Sequence, residues 1–240
     1  MEIKFGLIGD GKIASRHKHA ITTNGGIITG IYDPKFKNEK IILDKKFFQD
    51  KDYIVICSPS YFHREHVYMA LSYNKKIICE KPLVLPWEPI IDNNNINVVL
   101  QLRWMDLPDT AEVINVVMAR NEEYFKSWEG NTKLTGGLFY HLFIHYIDLA
   151  IKLKSKFIGS VISEGKQIRR VDDIDMFSYD MNDLYTKMYN DIINHDTGVK
   201  PHELFYIHWV LEQCGWKYGL NGKNLMNKEI FMNFNNGIDI

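Results

Sequence analysis

The chain has 240 residues, room for one large domain or two small ones. Its 45% hydrophobic and 25% charged residues are ordinary for a globular protein with a buried core. A formal net charge of −1 implies no general affinity for polyanions, so no nucleic-acid partner is expected; no apolar run approaches the roughly 20 residues that span a bilayer, so no membrane partner is expected either.

Residues 3–8 (IKFGLI) form a short apolar strand, followed by the turn Gly9-Asp10-Gly11-Lys12-Ile13-Ala14 and a helix over 12–23. A second strand, 27–32, ends in Asp33-Pro34; residues 35–45 read as helix and 46–48 as a very short strand. Residues 53–57 are a continuous apolar run, as in a parallel strand covered on both faces. Ser58-Pro59-Ser60 breaks that run, 62–72 has helical spacing, and 76–79 and 97–102 read as further strands. This alternation predicts an α/β fold with a doubly wound parallel sheet, a Rossmann domain over 1–103.

After Arg103 the character changes. Residues 113–120 alternate like a strand with one exposed face, and 124–128 are rich in aromatic residues. Thr135-Gly136-Gly137 opens a helix to residue 153, residues 157–171 hold two strands, and 182–194 and 200–216 are amphipathic helices. These form a reduced α+β domain over 104–240, with the late helices packing near the junction. The tail after Gly219 is polar apart from Ile230-Phe231-Met232.

Cys57, Cys79 and Cys214 show no paired pattern, and the first two sit in apolar runs as buried hydrophobes. A reducing, cytoplasmic location is expected, with no signal segment at MEIKFGLIGDG.

Gly9-x-Gly11-x-x-Ala14 meets the needs of a dinucleotide-binding turn. Gly9 permits the tight turn, Gly11 admits the pyrophosphate to the backbone, and Ala14 lets the helix pack on the strand. Taken alone the pattern also fits an ordinary turn. Asp33, at the end of the second strand, would accept from ribose hydroxyls and repel a 2′-phosphate, favouring NAD over NADP. Cys79-Glu80-Lys81-Pro82 closes a later strand, so Lys81 falls on the same sheet edge; the alternative is a surface lysine in a loop, and the Lys-Pro bond is a candidate cis peptide. His141, His145 and Asp148 share a helical face as i, i+4 and i+7. A metal site, a structural role and acid/base chemistry at His145 all fit that spacing. His63 follows the Ser58-Pro59-Ser60 break, either at the cofactor edge or as a helix-start residue. His17 and His19 read as surface residues.

GLIGDGKIA, DYIVICSPSYFH, ICEKPLVL and GGLFYHLFIHYIDL together resemble the Gfo/Idh/MocA family of NAD(P)-dependent sugar oxidoreductases. The similarity extends through VVLQLR, YFKSWEGNTKLTGG and NDLYTKMYNDIIN to the UDP-N-acetylglucosaminuronate 3-dehydrogenases. It implies NAD held by Gly9, Gly11, Lys12, Ile13, Ala14, Asp33, Ser58, Pro59, His63, Glu80 and Lys81. It implies catalysis by Lys81 and His145, a nucleotide-sugar site drawing on Lys81, Gln101, Arg103, Tyr124, Lys126, Trp128, His141 and His145, and no metal. The reaction implied is oxidation of a sugar 3-hydroxyl in surface-glycan nucleotide-sugar synthesis, by a homodimer or tetramer. The alternative is a non-catalytic descendant that binds NAD or a sugar nucleotide within an assembly. His141 and Ser60 stand where relatives carry Asp or Asn and Asn. The chain is short for the family; its gaps fall within 35–52, 86–97, 105–113 and 157–177, and the last trims the second sheet.

Overall fold

The computed structural model describes residues 2–34, 43–218 and 229–234. Most of the helix expected over 35–45, and the polar tail other than 229–234, lie outside the described residues. The strands are β1 (Lys4–Ile8), β2 (Ile27–Tyr32), β3 (Tyr53–Ile56), β4 (Lys76–Cys79), β5 (Ile96–Val98), β6 (Val113–Ala119), β7 (Lys156–Ile162), β8 (Ile168–Val171), β9 (Ile174–Asp175) and β10 (Glu229–Asn233). The α-helices are α1 (Ala14–Thr23), α2 (Lys45–Gln49), α3 (His63–Ser72), α4 (Glu122–Lys126), α5 (Thr132–Thr135), α6 (Ile144–Lys152), α7 (Met181–His195) and α8 (Leu204–Tyr218).

Two compact units emerge. One comprises Met1–Val84, Glu88–Trp104 and Asp180–Glu203; the other comprises Leu85–Trp87, Met105–Tyr179 and Leu204–Ile240. This differs from a single division at Arg103, because α7 returns to the first unit.

In the first unit five parallel strands lie in the order β2-β1-β3-β4-β5. All four residues of β3 are buried, as expected for a strand covered on both faces. Phe5, Leu7, Ala20, Ile21, Val55 and Ile78 pack with Tyr185, Met188, Tyr189 and Ile192 of α7 in one apolar core. The segment 46–48 is helical, not a strand. The Asp44 side chain accepts the Phe47 amide and starts α2, so Phe47 and Phe48 are buried from a helix. The strand expected over 97–102 ends at Val98, and a 3₁₀ turn at Gln101–Trp104 follows.

The second unit has a five-stranded sheet in the order β10-β7-β6-β8-β9, with β6 and β7 parallel and the other pairs antiparallel. Ile114, Val116 and Met118 of β6 point to its buried side, so the alternation read from the sequence is real. Phe143 packs edge-on against Phe157 of β7, with ring centroids 5.6 Å apart. The helix expected over 135–153 is not continuous. Gly136 and Gly137 adopt φ of 79° and 92°, which halts α5, and a five-residue π-helical segment, Phe139–Phe143, leads into α6.

Candidate active site

Every strand of the first sheet runs the same way, so the residues following each strand collect at one edge: Gly9 after β1, Asp33 after β2, Ser58 after β3 and Lys81 after β4. Ligands of open α/β sheets bind at this edge. Gly9 has φ of 103°, and its amide donates to the Tyr32 carbonyl at 2.7 Å. A Cβ there would sit 2.6 Å from the Cys57 carbonyl oxygen, whereas a Cβ at Gly11 would meet nothing within 4 Å. The Asp10 amide donates to Asp33 Oδ2 at 2.7 Å, tying the turn to the end of β2, and the Asp10 carboxylate pairs with Lys18 at 2.6 Å. No side chain caps the start of α1 and no acid occupies its first turn. Open space at Gly11, uncapped helix amides and a carboxylate after β2 suit a dinucleotide pyrophosphate and its ribose. Lys12 is exposed, Ile13 is half-buried against the core, and Ala14 is buried.

Two buried histidines organise the loops of this edge. His63, 1% exposed, places Nδ1 2.7 Å from the Pro82 carbonyl and Nε2 2.8 Å from the Ser58 carbonyl. Burial pushes its ring towards the neutral form against the opposing pull of the two carbonyls. Ser58 Oγ meets His66 Nδ1 at 2.9 Å, and the Pro59 carbonyl accepts the Phe62 amide that opens the helical turn. The Lys81-Pro82 peptide is cis, and Lys81 is half-buried.

Glu80 and His17 depart from the sequence reading. His17 is wholly buried and not a surface residue; its Nε2 lies 3.1 Å from Glu80 Oε1 and its Nδ1 2.7 Å from the Tyr189 hydroxyl. Tyr185 donates its hydroxyl to the same Glu80 oxygen at 2.6 Å, and Glu80 Oε2 accepts the Lys81 amide at 3.3 Å. Burial works against ionisation of this carboxyl, but the bond and charge of His17, the Tyr185 bond and the Lys81 charge outweigh it and bring its pKa to about 2. His17, Tyr185 and Tyr189 carry no sequence signal beyond helical spacing. His19 is exposed, as expected.

Gln101 also belongs to the first unit. It is 8% exposed, and its Oε1 has no hydrogen-bond partner among the described residues. The Arg103 guanidinium pairs with Glu203 at 2.5 Å.

In the second unit, Tyr124, Trp128 and His141 come together. The His141 ring lies 5.7 Å from Trp128, edge-on, and 6.2 Å from Tyr124. The Arg120 guanidinium stacks over Tyr124 at 5.2 Å. Lys126 instead forms an exposed pair with Glu122 at 3.0 Å. His141 sits in the π-helical segment and His145 on α6, both half-buried, while Asp148 is buried. Among the described residues no group of three or more His, Cys, Asp or Glu side chains could hold a metal ion. No helix among them is long and apolar enough to cross a membrane.

Residues 3–95 match the Gfo/Idh/MocA model described as an oxidoreductase family, NAD-binding Rossmann fold. Residues 110–162 match the model for that family's C-terminal alpha/beta domain. Among curated proteins, glucose-6-phosphate 3-dehydrogenase of Bacillus subtilis is 31% identical over 96 residues, a stretch that covers 35% of this chain and 27% of that protein. The WlbA (WbpB) dehydrogenase from Thermus thermophilus, solved in complex with NAD and UDP-GlcNAcA, is 21% identical. It superposes with a TM-score of 0.68 over 88% of this chain and 94% of that one. A myo-inositol dehydrogenase from Corynebacterium glutamicum is 13% identical with a TM-score of 0.63, over 97% of this chain and 99% of that one. Both structural likenesses establish the fold.

Proposed function

The chain belongs to the Gfo/Idh/MocA oxidoreductase family, and on that premise we propose that it oxidises the 3-hydroxyl of a UDP-N-acetylhexosaminuronate. The observation that carries this reading is the position of Lys81 after β4, on the sheet edge that also bears the Gly9 turn and Asp33. Gly9, Gly11, Lys12, Ile13 and Ala14 hold the cofactor pyrophosphate and Asp33 its adenosine ribose, with Ser58, Pro59 and His63 beside it. NAD, when bound, supplies the acceptor for the hydride.

A secondary hydroxyl is too weak an acid to ionise unaided, so its proton must leave as its carbon loses hydride. His145 takes that proton, and the Lys81 ammonium stabilises the negative charge on the oxygen as the C–H bond breaks and the C=O bond forms. Tyr124, Trp128 and His141 offer an aromatic surface for the sugar nucleotide, with Gln101, Arg103 and Lys126 as polar contacts. The choice of a nucleotide sugar is supported by the likeness to the Thermus dehydrogenase, which binds UDP-GlcNAcA.

The test is NADH formation by purified protein given NAD and UDP-N-acetylglucosaminuronate, with 2-oxoglutarate tried separately as an acceptor that reoxidises the cofactor. Turnover that disappears in both Lys81→Ala and His145→Ala supports the assignment. NAD binding by calorimetry without turnover on this sugar would point to another substrate or to a non-catalytic binder. Absence of NAD binding sinks the dehydrogenase reading altogether.

A further inference from the structure

Glu80 is a buried acid whose carboxylate faces into the protein, although it stands next to the residue proposed to meet substrate. Its Oε1 takes His17 Nε2 from α1 and the Tyr185 hydroxyl from α7, while Oε2 takes the backbone amide of Lys81. We propose that His17, Tyr185 and Glu80 form a clamp that fixes Lys81 in place, so that Glu80 is a positioning residue and not a cofactor contact.

A buried carboxylate is costly unless it is paired and hydrogen-bonded, and three donors on two oxygens provide that compensation here. The two side-chain donors come from places far apart in sequence, and they meet at the single residue preceding the lysine. His17 is itself braced: the Tyr189 hydroxyl lies 2.7 Å from its Nδ1, so both ring nitrogens are engaged by buried partners. On the other side of Lys81, His63 holds the Pro82 carbonyl. The lysine backbone is therefore held from both flanks by buried side chains.

The clamp acts in two ways. It removes backbone freedom beneath Lys81, which favours a preorganised ammonium over a wandering one. It also keeps the Glu80 carboxylate within electrostatic reach of the Lys81 ammonium. The first consequence for turnover rests on the dehydrogenase reading above; the second belongs to the protein without cofactor and can be read independently.

The experiment compares wild type, E80Q and Y185F without cofactor. The rate of Lys81 acetylation by acetic anhydride is followed at one pH by mass spectrometry, with exposed Lys12 as control. Amide hydrogen exchange is measured at Lys81 and in β1. E80Q keeps the shape and removes the charge, so Lys81 acetylates about threefold faster or more while Lys12 is unmoved. Y185F keeps the ring in the core, so the Lys81 amide exchanges about tenfold faster and β1 does not change. With active enzyme, kcat falls about tenfold in E80Q and KM for NAD stays within about threefold. An E80Q acetylation rate at Lys81 equal to wild type, or Y185F speeding the Lys81 and β1 amides alike, overturns the clamp. If E80Q does not fold, Y185F decides; if wild type shows no turnover, the dehydrogenase reading is in question while acetylation and exchange still decide the clamp.

Discussion

The His63 imidazole and the Pro82 carbonyl oxygen stand 2.7 Å apart, which anchors the residue after Lys81 to the first turn of α3. The same ring reaches the Ser58 carbonyl at 2.8 Å, so one side chain spans the loops after β3 and β4. Both partners are acceptors, and a neutral imidazole has a single N–H to share between them. His63→Ala leaves both carbonyls without this donor group. Urea denaturation should show a loss of about 1–3 kcal/mol. A midpoint unchanged from wild type would mean that the bridge contributes nothing to the fold.

Gly9 and Gly11 should separate stability from cofactor affinity. Gly9→Ala forces a Cβ against the Cys57 carbonyl at φ of 103°, with an expected cost of about 1–3 kcal/mol. Gly11→Ala meets open space, so unfolding should move by about 0.5 kcal/mol or less. Its methyl group nevertheless occupies the approach expected for pyrophosphate, and calorimetry should show NAD affinity falling about tenfold or more. Unaltered NAD affinity in Gly11→Ala would remove the glycine turn from the binding site.

Cys57 and Cys79 should be inert in the folded protein. Both are buried, and burial followed by the nearby Glu80 charge pushes each thiol upward, away from the reactive thiolate. A thiol reagent followed by peptide mapping should leave both unlabelled under native conditions and label both in urea. Native labelling at either position would contradict the packing described here.

Acid should weaken the fold before its carboxylates titrate. Burial lowers His66 and His208 from 6.5 to about 4, with neighbouring His63 adding to the effect at His66. Their folded-state values are depressed, so their contribution is complete above the unfolded value of 6.5 and is lost as pH falls towards 4. Glu80 follows in a lower window, because its contribution is present above 4.5 and disappears as pH falls through about 2. The urea midpoint should drop between about pH 7 and pH 5, and less steeply in a His66→Gln, His208→Gln double variant. A midpoint that is flat over this interval rules out the histidine contribution.

The first sheet was legible because parallel strands buried on both faces leave continuous apolar runs such as 53–57, and glycine punctuation marks where they turn. Short-range competition hid other features. At 46–48 two phenylalanines resemble a strand until the Asp44 cap is considered. Near 139–143 the glycines before the segment and its π-helical geometry interrupt the single helix implied by spacing. His17 could not be recognised as buried from α1 alone, because its cover comes from Tyr185 and Tyr189, more than 160 residues later. The glycine turn, Asp33 and Lys81 were visible as local motifs. The partners that hold Glu80 were not, since tertiary pairing leaves no periodic mark.

The return of α7 to the first unit sets an order on biogenesis. A ribosome that has delivered residues 1–104 has made every strand of the Rossmann sheet, yet Tyr185, Met188, Tyr189 and Ile192 do not exist to cover its apolar residues. Glu80 at that moment has neither Tyr185 nor a His17 braced by Tyr189. The Rossmann sheet is thus translated before its cover, and a nascent chain stalled at residue 104 should display an apolar flank to chaperones and proteases until the helix at 181–195 emerges.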